Sequence, residues 1–270
     1  MHIFLNTERK LRSIWWVFIF FLVLAAFVVP LIILSQHYSF EISISLQVVV
    51  ILMVSIVCQK LARKSLNDLL GVFNFVWFKE LLIGMLIGSG LMILPAMILT
   101  VFGYVNWQTN VFSFSIIISG IGIFLAVAAA EELLFRGFIF QRLIHAFGKW
   151  PAQFIIAGLF LLTHLNNPGM SGVTKQFAVL NIFIASIMFG IAYLKTKNLA
   201  MPLGLHFMAN FVQGTVLGFG VSGGKEVSVF KPIFTDTPIW LSGGDFGLEA
   251  SILGLVFVTL FTVLFYFWKR

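Results

Sequence analysis

Three short stretches place reactive side chains inside apolar runs. AAAEELLFRG holds Glu131, Glu132 and Arg136, FLLTHLNN holds Phe160 and His164, and LHFMAN holds His206 and Asn210. Charge within an apolar helix needs a partner or a task. Adjacent helical residues point roughly 100° apart, so the two glutamates need not do the same thing. Glu132 and Arg136, four apart, share a face and are suited to an ion pair that keeps both charged. That leaves Glu131 for chemistry.

The positions of these stretches carry a geometric expectation. A turn between two apolar spans falls near residue 148, with Glu131 17 residues before it and His164 16 after it. At 1.5 Å per residue both stand about 25 Å from the turn on antiparallel helices, so they can face each other. His206 and Asn210 share a face of a later span, and Asn210 there wants a hydrogen-bond partner. His206 lies only about 8 Å from the start of its helix near residue 201. For it to reach the depth of Glu131, either the hairpin at 142–151 protrudes or that helix begins below the membrane surface.

A glutamate, two histidines and an asparagine from three helices are enough to activate water. A carboxylate can take a proton from water as it attacks an amide. Histidine and asparagine can orient that water or stabilise the developing oxyanion. Alternatively Glu131, His164 and His206 could hold Zn2+ with one position open, although the spacing is not HExxH. The residues leave metal-bound and metal-free water both open. No Ser-His-Asp pattern occurs at comparable depth, and Thr163 points away from the face of His164.

These residues sit in a chain built for lipid. Of 270 residues 60% are hydrophobic and 10% charged, against about 25% charged in soluble domains. Eight apolar segments of membrane-spanning character follow one another at 14–34, 42–59, 78–103, 113–142, 151–165, 175–194, 200–220 and 248–268. The first is too long for a cleaved signal peptide. Pro95 predicts a kink in the third. The reading is an all-α, polytopic helical bundle of about eight transmembrane helices forming one domain, 1–270.

The net charge of +7 comes in clusters between spans. Arg9, Lys10 and Arg12, then Lys60, Arg63 and Lys64, then Arg142 and Lys149, then Lys195 and Lys197, and finally Lys269 and Arg270 all fall on one side. The positive-inside rule places that side, and both termini, in the cytosol of a multi-pass plasma-membrane protein. Arg142 and His145 read as solvated helix-end charges. The loop 221–247 falls outside with no assigned role. No basic-aromatic surface pattern points to nucleic acid. The glycine-rich LSGGDFGLEAS lacks a phosphate-loop lysine, so no nucleotide cofactor is expected. It reads instead as the start of the last helix, with Asp245 as N-cap and Glu249 in the first turn. The single cysteine, Cys58, reads as a small buried hydrophobe.

EELLFR, FLLTH and HFMAN resemble the EExxxR, FxxxH and HxxxN motifs of the CPBP intramembrane proteases. That family includes the type II CAAX prenyl endopeptidases and bacterial bacteriocin-immunity proteins. The likeness covers about residues 113–220, the expected protease core, and LSGGDFGLEAS resembles a segment common in bacterial members before the last helix at 248–268. The resemblance implies an endopeptidase in which Glu131 activates water, His164 works with it, and His206 and Asn210 complete the site, with Glu132 and Arg136 as supporting pair. It also implies a metalloprotease, with Glu131, His164 and His206 as candidate zinc ligands, although a metal-free mechanism is compatible with the same motifs. The motif dialect looks bacterial, so the expected partner is a membrane-associated peptide or protein rather than a prenylated one. Hydrolysis there needs a wet cavity, expected to open toward the cytosol. Two other classes compete: a non-catalytic scaffold or immunity protein, and a small transporter. A transporter should show internal repeats, and none is found.

Overall fold

The computed structural model describes residues 3–110 and 113–268; Lys269 and Arg270, assigned above to the cytosolic side, lie outside the described residues. Helices α1 (Ser13–Tyr38) and α2 (Ile44–Leu61) open the chain. A short α3 (Asn67–Leu70) leads into α4 (Phe75–Val101). Strand β1 (Val105–Thr109) then precedes α5 (Phe114–Glu132), which passes through a π-helical turn, Leu133–Phe138, into α6 (Ile139–Phe147). Next come α7 (Lys149–His164), α8 (Gly172–Thr196) and α9 (Ala200–Phe211), the last continuing as a second π-helical turn, Val212–Val216. Strand β2 (Phe230–Phe234), α10 (Ile239–Ser242) and two 3-10 turns, Gly244–Phe246 and Leu248–Ala250, lead to α11 (Ile252–Phe267).

Local chemistry sets several helix starts. Ser43, Asn74 and Ser251 each accept a hydrogen bond from a backbone N–H of the first turn, satisfying donors that the helix leaves open. Asp245, expected to cap the last helix, instead lies in the first 3-10 turn and pairs with Lys225 at 2.6 Å. Ser251 takes the N-cap role because the two intervening turns delay the helix by several residues. Pro95 lies inside α4 without ending it.

The chain is predominantly helical and a multi-pass membrane protein. Among the described residues five segments are long and apolar enough to cross a membrane: Ser13–Tyr38, Ile44–Leu61, Asn67–Val101, Phe114–Phe147 and Gly172–Thr196. This corrects the expectation of about eight. The other three apolar segments are helical but short: α7 has 16 residues, α9 has 12 and α11 has 16. Each is cut by a local signal that hydropathy does not register. The N–P–G turn follows α7, the second π-helical turn ends α9, and the 3-10 turns shorten α11. The fold is also not purely helical, because β1 and β2 pair antiparallel, Val105 opposite Phe234.

Helix α8 is the interior element and α1 the peripheral one, with 56% and 6% of their apolar windows buried. Helix α9 packs tightly along α4. A Cβ on Gly84 would collide with the backbone oxygen of Met201, one on Gly88 with that of Leu205, and one on Gly204 with that of Leu81. Backbones approach this closely only where side chains are absent, a standard way to join helices in lipid, where apolar burial supplies little drive. The start of α9 is thereby held inside the protein, with Leu199, Ala200 and Met201 buried. Cys58 is free and fully buried.

Replacing Gly88 with leucine should force α9 from α4 and cost about 1–3 kcal/mol or more. Thermal unfolding in detergent should show a clear fall in midpoint, and an unchanged midpoint would show that the close approach is dispensable.

Candidate functional site

Arg136 is fully enclosed, and so is Glu132 to within 1%. The π-helical turn after Glu132 carries Arg136 inward; such turns are frequent at functional sites. Arg136 Nη1 donates to Glu132 Oε1 at 3.1 Å. Its Nη2 donates to the backbone oxygen of Ser186 at 3.1 Å and to Ser186 Oγ at 2.7 Å. The guanidinium carbon lies 4.8 Å from the ring centre of Phe160 and 5.1 Å from that of Phe189, close enough for cation–π attraction in a dry setting. Glu132 Oε1 also accepts from His206 Nδ1 at 2.9 Å. Phe189 stacks on the His206 ring with centroids 4.9 Å apart. One carboxylate oxygen thus joins α5, the π-helical turn and α9, and Arg136 extends the connection to α8.

Glu131 is placed differently. Its side chain is 26% exposed, and its Oε2 lies 3.5 Å from His206 Nε2 while its Oε1 lies 4.0 Å from His164 Nε2. His164 is oriented by its own helix, with Nδ1 bonded to the Phe160 backbone oxygen at 2.7 Å. A carbonyl only accepts, so Nδ1 carries the proton and, in the neutral ring, Nε2 presents a lone pair toward Glu131. Thr163 bonds the same Phe160 oxygen at 2.7 Å.

Glu131, His164, His206 and Asn210 all line one cavity of about 240 Å³. Among the described residues no hydrogen bond engages the Asn210 side chain, which leaves its amide available to a ligand. Arg136 and Glu132 are not part of the cavity wall; they stand behind it.

The zinc expectation is corrected here. Among the described residues no group of three or more His, Cys, Asp or Glu side chains is arranged to hold a metal ion. His206 Nδ1 is bonded to Glu132 and His164 Nδ1 to Phe160, and the two Nε2 atoms face the one carboxylate of Glu131 at 3.5 and 4.0 Å without forming such a group. The expected metalloprotease chemistry therefore has no support in the donor set.

Sequence reasoning overlooked Glu249. It lines the same cavity from the 3-10 turn before α11. Its Oε1 accepts from the backbone N–H of Ser222, from Ser222 Oγ at 3.1 Å and from Gln213 Nε2 at 3.4 Å. The carboxylate thereby pins the loop after α9 across the cavity. The preceding Gly247, at φ +103°, lies so close to the Gly220 oxygen that a Cβ would collide with it. The one signal in the sequence is an acid at the end of a glycine-rich stretch, which looks equally like a solvated helix start.

The loops bordering the cavity lie at the end of the helices away from the basic turns. Asn167, Ser222, Gly224 and Glu226 belong to the connections after α7 and after α9. Helices α7 and α9 both begin at the basic turns and end at these loops, so the cavity is bordered from the opposite side.

Arg136→Ala would leave Glu132 buried without its cation, at an expected cost of about 3–5 kcal/mol. The yield and unfolding midpoint of folded protein should fall steeply, and a stable, well-expressed variant would show that the pair is unnecessary.

No curated protein and no solved structure matches the chain. Residues 113–212 match the family model described as Type II CAAX prenyl endopeptidase Rce1-like, a range that includes Glu131, Glu132, Arg136, His164, His206 and Asn210. The chain contains an Rce1-like domain of the CPBP/CAAX protease type, spanning residues 113–212.

Proposed function

We propose that the protein is an intramembrane endopeptidase that hydrolyses a peptide bond of a membrane-associated protein or peptide with water activated by Glu131 and His164. The observation that carries this reading is the unequal use of two adjacent carboxylates. Glu132 is consumed by Arg136 and His206, whereas Glu131 faces the cavity between two imidazoles.

At 4.0 Å, Glu131 Oε1 and His164 Nε2 are too far apart for a direct hydrogen bond, and the gap is one that a water molecule bridges. Both groups accept, so a water between them directs its two protons at Glu131 and His164 and leaves an oxygen lone pair for attack. As the oxygen bonds to the scissile carbonyl carbon, Glu131 takes one proton. The same proton can then pass to the departing amine. The carbonyl oxygen gains charge and needs donors. The Asn210 amide and the Nε2–H of a protonated His206, held by Glu132, supply them.

The same reading takes residues 1–270 as one integral domain, with its protease core at about 113–220. The shorter helices α7, α9 and α11 complete an eight-helix bundle around the site. With the basic turns and both termini in the cytosol, the cavity mouth lies toward the outer face, and an extracytosolic or membrane-embedded peptide is the substrate. The chemical class implied by the family name, a type II CAAX prenyl endopeptidase, supports peptide-bond hydrolysis at a membrane.

The protein reconstituted in liposomes with a library of membrane-anchored and amphipathic peptides should release products identifiable by mass spectrometry. Glu131→Gln should lower that turnover by at least about 100-fold with an unchanged unfolding midpoint. Wild-type turnover in E131Q would overturn the proposed base.

A further inference from the structure

A second cavity, of about 720 Å³, lies at the other end of the helices and has no part in the chemistry above. It is enclosed by the segment before α1, the end of α2 and the end of α6. Lys10, Arg63, Lys64, Arg142 and His145 line it, and among the described lining residues there is no acid. Arg63, Lys64 and Arg142, none of them in an ion pair among the described residues, give the space a net positive field.

Arg142 is the informative member. It was expected to be a solvated helix-end charge, yet it is only 7% exposed. Its guanidinium carbon rests 4.7 Å from the Phe138 ring centre. Its Nε is enclosed without a hydrogen-bond partner, and among the described residues Arg142 makes no hydrogen bond or ion pair. Two acids stand nearby without lining the cavity, and one of them offsets a lining charge. Glu8 pairs with Lys10 at 2.8 Å out in solvent. Asp68 is near enough to act on Arg142 electrostatically, but forms no ion pair with it. The Nη nitrogens of Arg142 take no partner among the described residues and, unlike Nε, are not enclosed, so an acceptor in the cavity can meet them. Guanidinium geometry favours two-point recognition of phosphate.

We propose that this cavity binds a phosphate-bearing anion, in the membrane the headgroup of an acidic phospholipid from the leaflet that contacts the basic turns. Arg142 holds the phosphate from below, and Arg63 and Lys64 close over it from the end of α2. Trp16, also in the wall, belongs to α1 and suits the boundary between acyl chains and headgroups. Basic pockets between helices on the cytosolic side are where anionic headgroups are held. The site ties the first two helices to α6, and it rests on none of the catalytic assignments.

The test uses the full-length protein in a neutral detergent. Native mass spectrometry and thermal unfolding are recorded with phosphatidylglycerol, with phosphatidylcholine, and with inorganic phosphate alone. Phosphatidylglycerol should be retained near one per protein and raise the unfolding midpoint, while phosphatidylcholine does neither. Retention should weaken roughly tenfold or more in Arg142→Gln and in the double variant Arg63→Ala/Lys64→Ala. The double variant changes exposed residues only, so it decides the matter if R142Q does not fold. If inorganic phosphate alone saturates the site and displaces phosphatidylglycerol, the site stands and its source is a soluble phosphate. Equal retention of both lipids, or full retention of phosphatidylglycerol in the folded variants, overturns the proposal.

Discussion

The structure depends on neutralising one buried guanidinium. Arg136 has no exposed surface, and in a low-dielectric interior an isolated charge of that kind is prohibitive. Its neighbours come from different parts of the chain: Glu132 from α5, Ser186 from α8, and the faces of Phe160 on α7 and Phe189 on α8. Satisfying Arg136 therefore draws three helices together. Glu132 then adds a fourth, because the oxygen that meets Arg136 also receives His206 from α9. A polar interaction does here what apolar burial does in water, since lipid supplies little drive for helices to associate through apolar contact.

From this anchor the division between the adjacent glutamates follows. One carboxylate is turned inward and spent on structure. The preceding residue, Glu131, rotated by about 100°, reaches the cavity and faces the Nε2 atoms of two imidazoles whose Nδ1 atoms are already bound. Each histidine is oriented by a group that has no direct part in the proposed chemistry: the Phe160 oxygen for His164, and Glu132 for His206. Positioning of this kind lets a site hold its geometry without reorganisation as charge develops. The close glycine contacts between α4 and α9 serve the same end, because they set the depth at which His206 enters.

The two cavities occupy opposite ends of the bundle and differ in chemistry. The one around Glu131 combines carboxylates, imidazoles and amides under a loop pinned by Glu249. Among the described residues, the one around Arg142 has basic side chains in its wall and no acid. The first suits a reaction that moves protons, the second an anion that stays bound.

Much of the site was legible from residue types and spacing. Intramembrane charge is rare enough that EELLFR, FLLTH and HFMAN stand out, and the equal distances of Glu131 and His164 from the turn at Gly148 place them at one depth. Other features were not legible, because they depend on contacts between segments distant in sequence. The short α7, α9 and α11 look like full spans to hydropathy, which is blind to π-helical and 3-10 turns. Glu249 and Arg142 look like ordinary helix-end charges until tertiary packing sets Glu249 in the cavity wall and buries Arg142. Zinc fits the ligand types alone, yet a metal site needs three or more donors grouped around one point, and among the described residues packing forms no such group. The sequence by itself determined a helical membrane protein with a few charges that must find partners in lipid. The tertiary structure alone decided which charge partners which, because pairing depends on the distances and burial that helix packing creates.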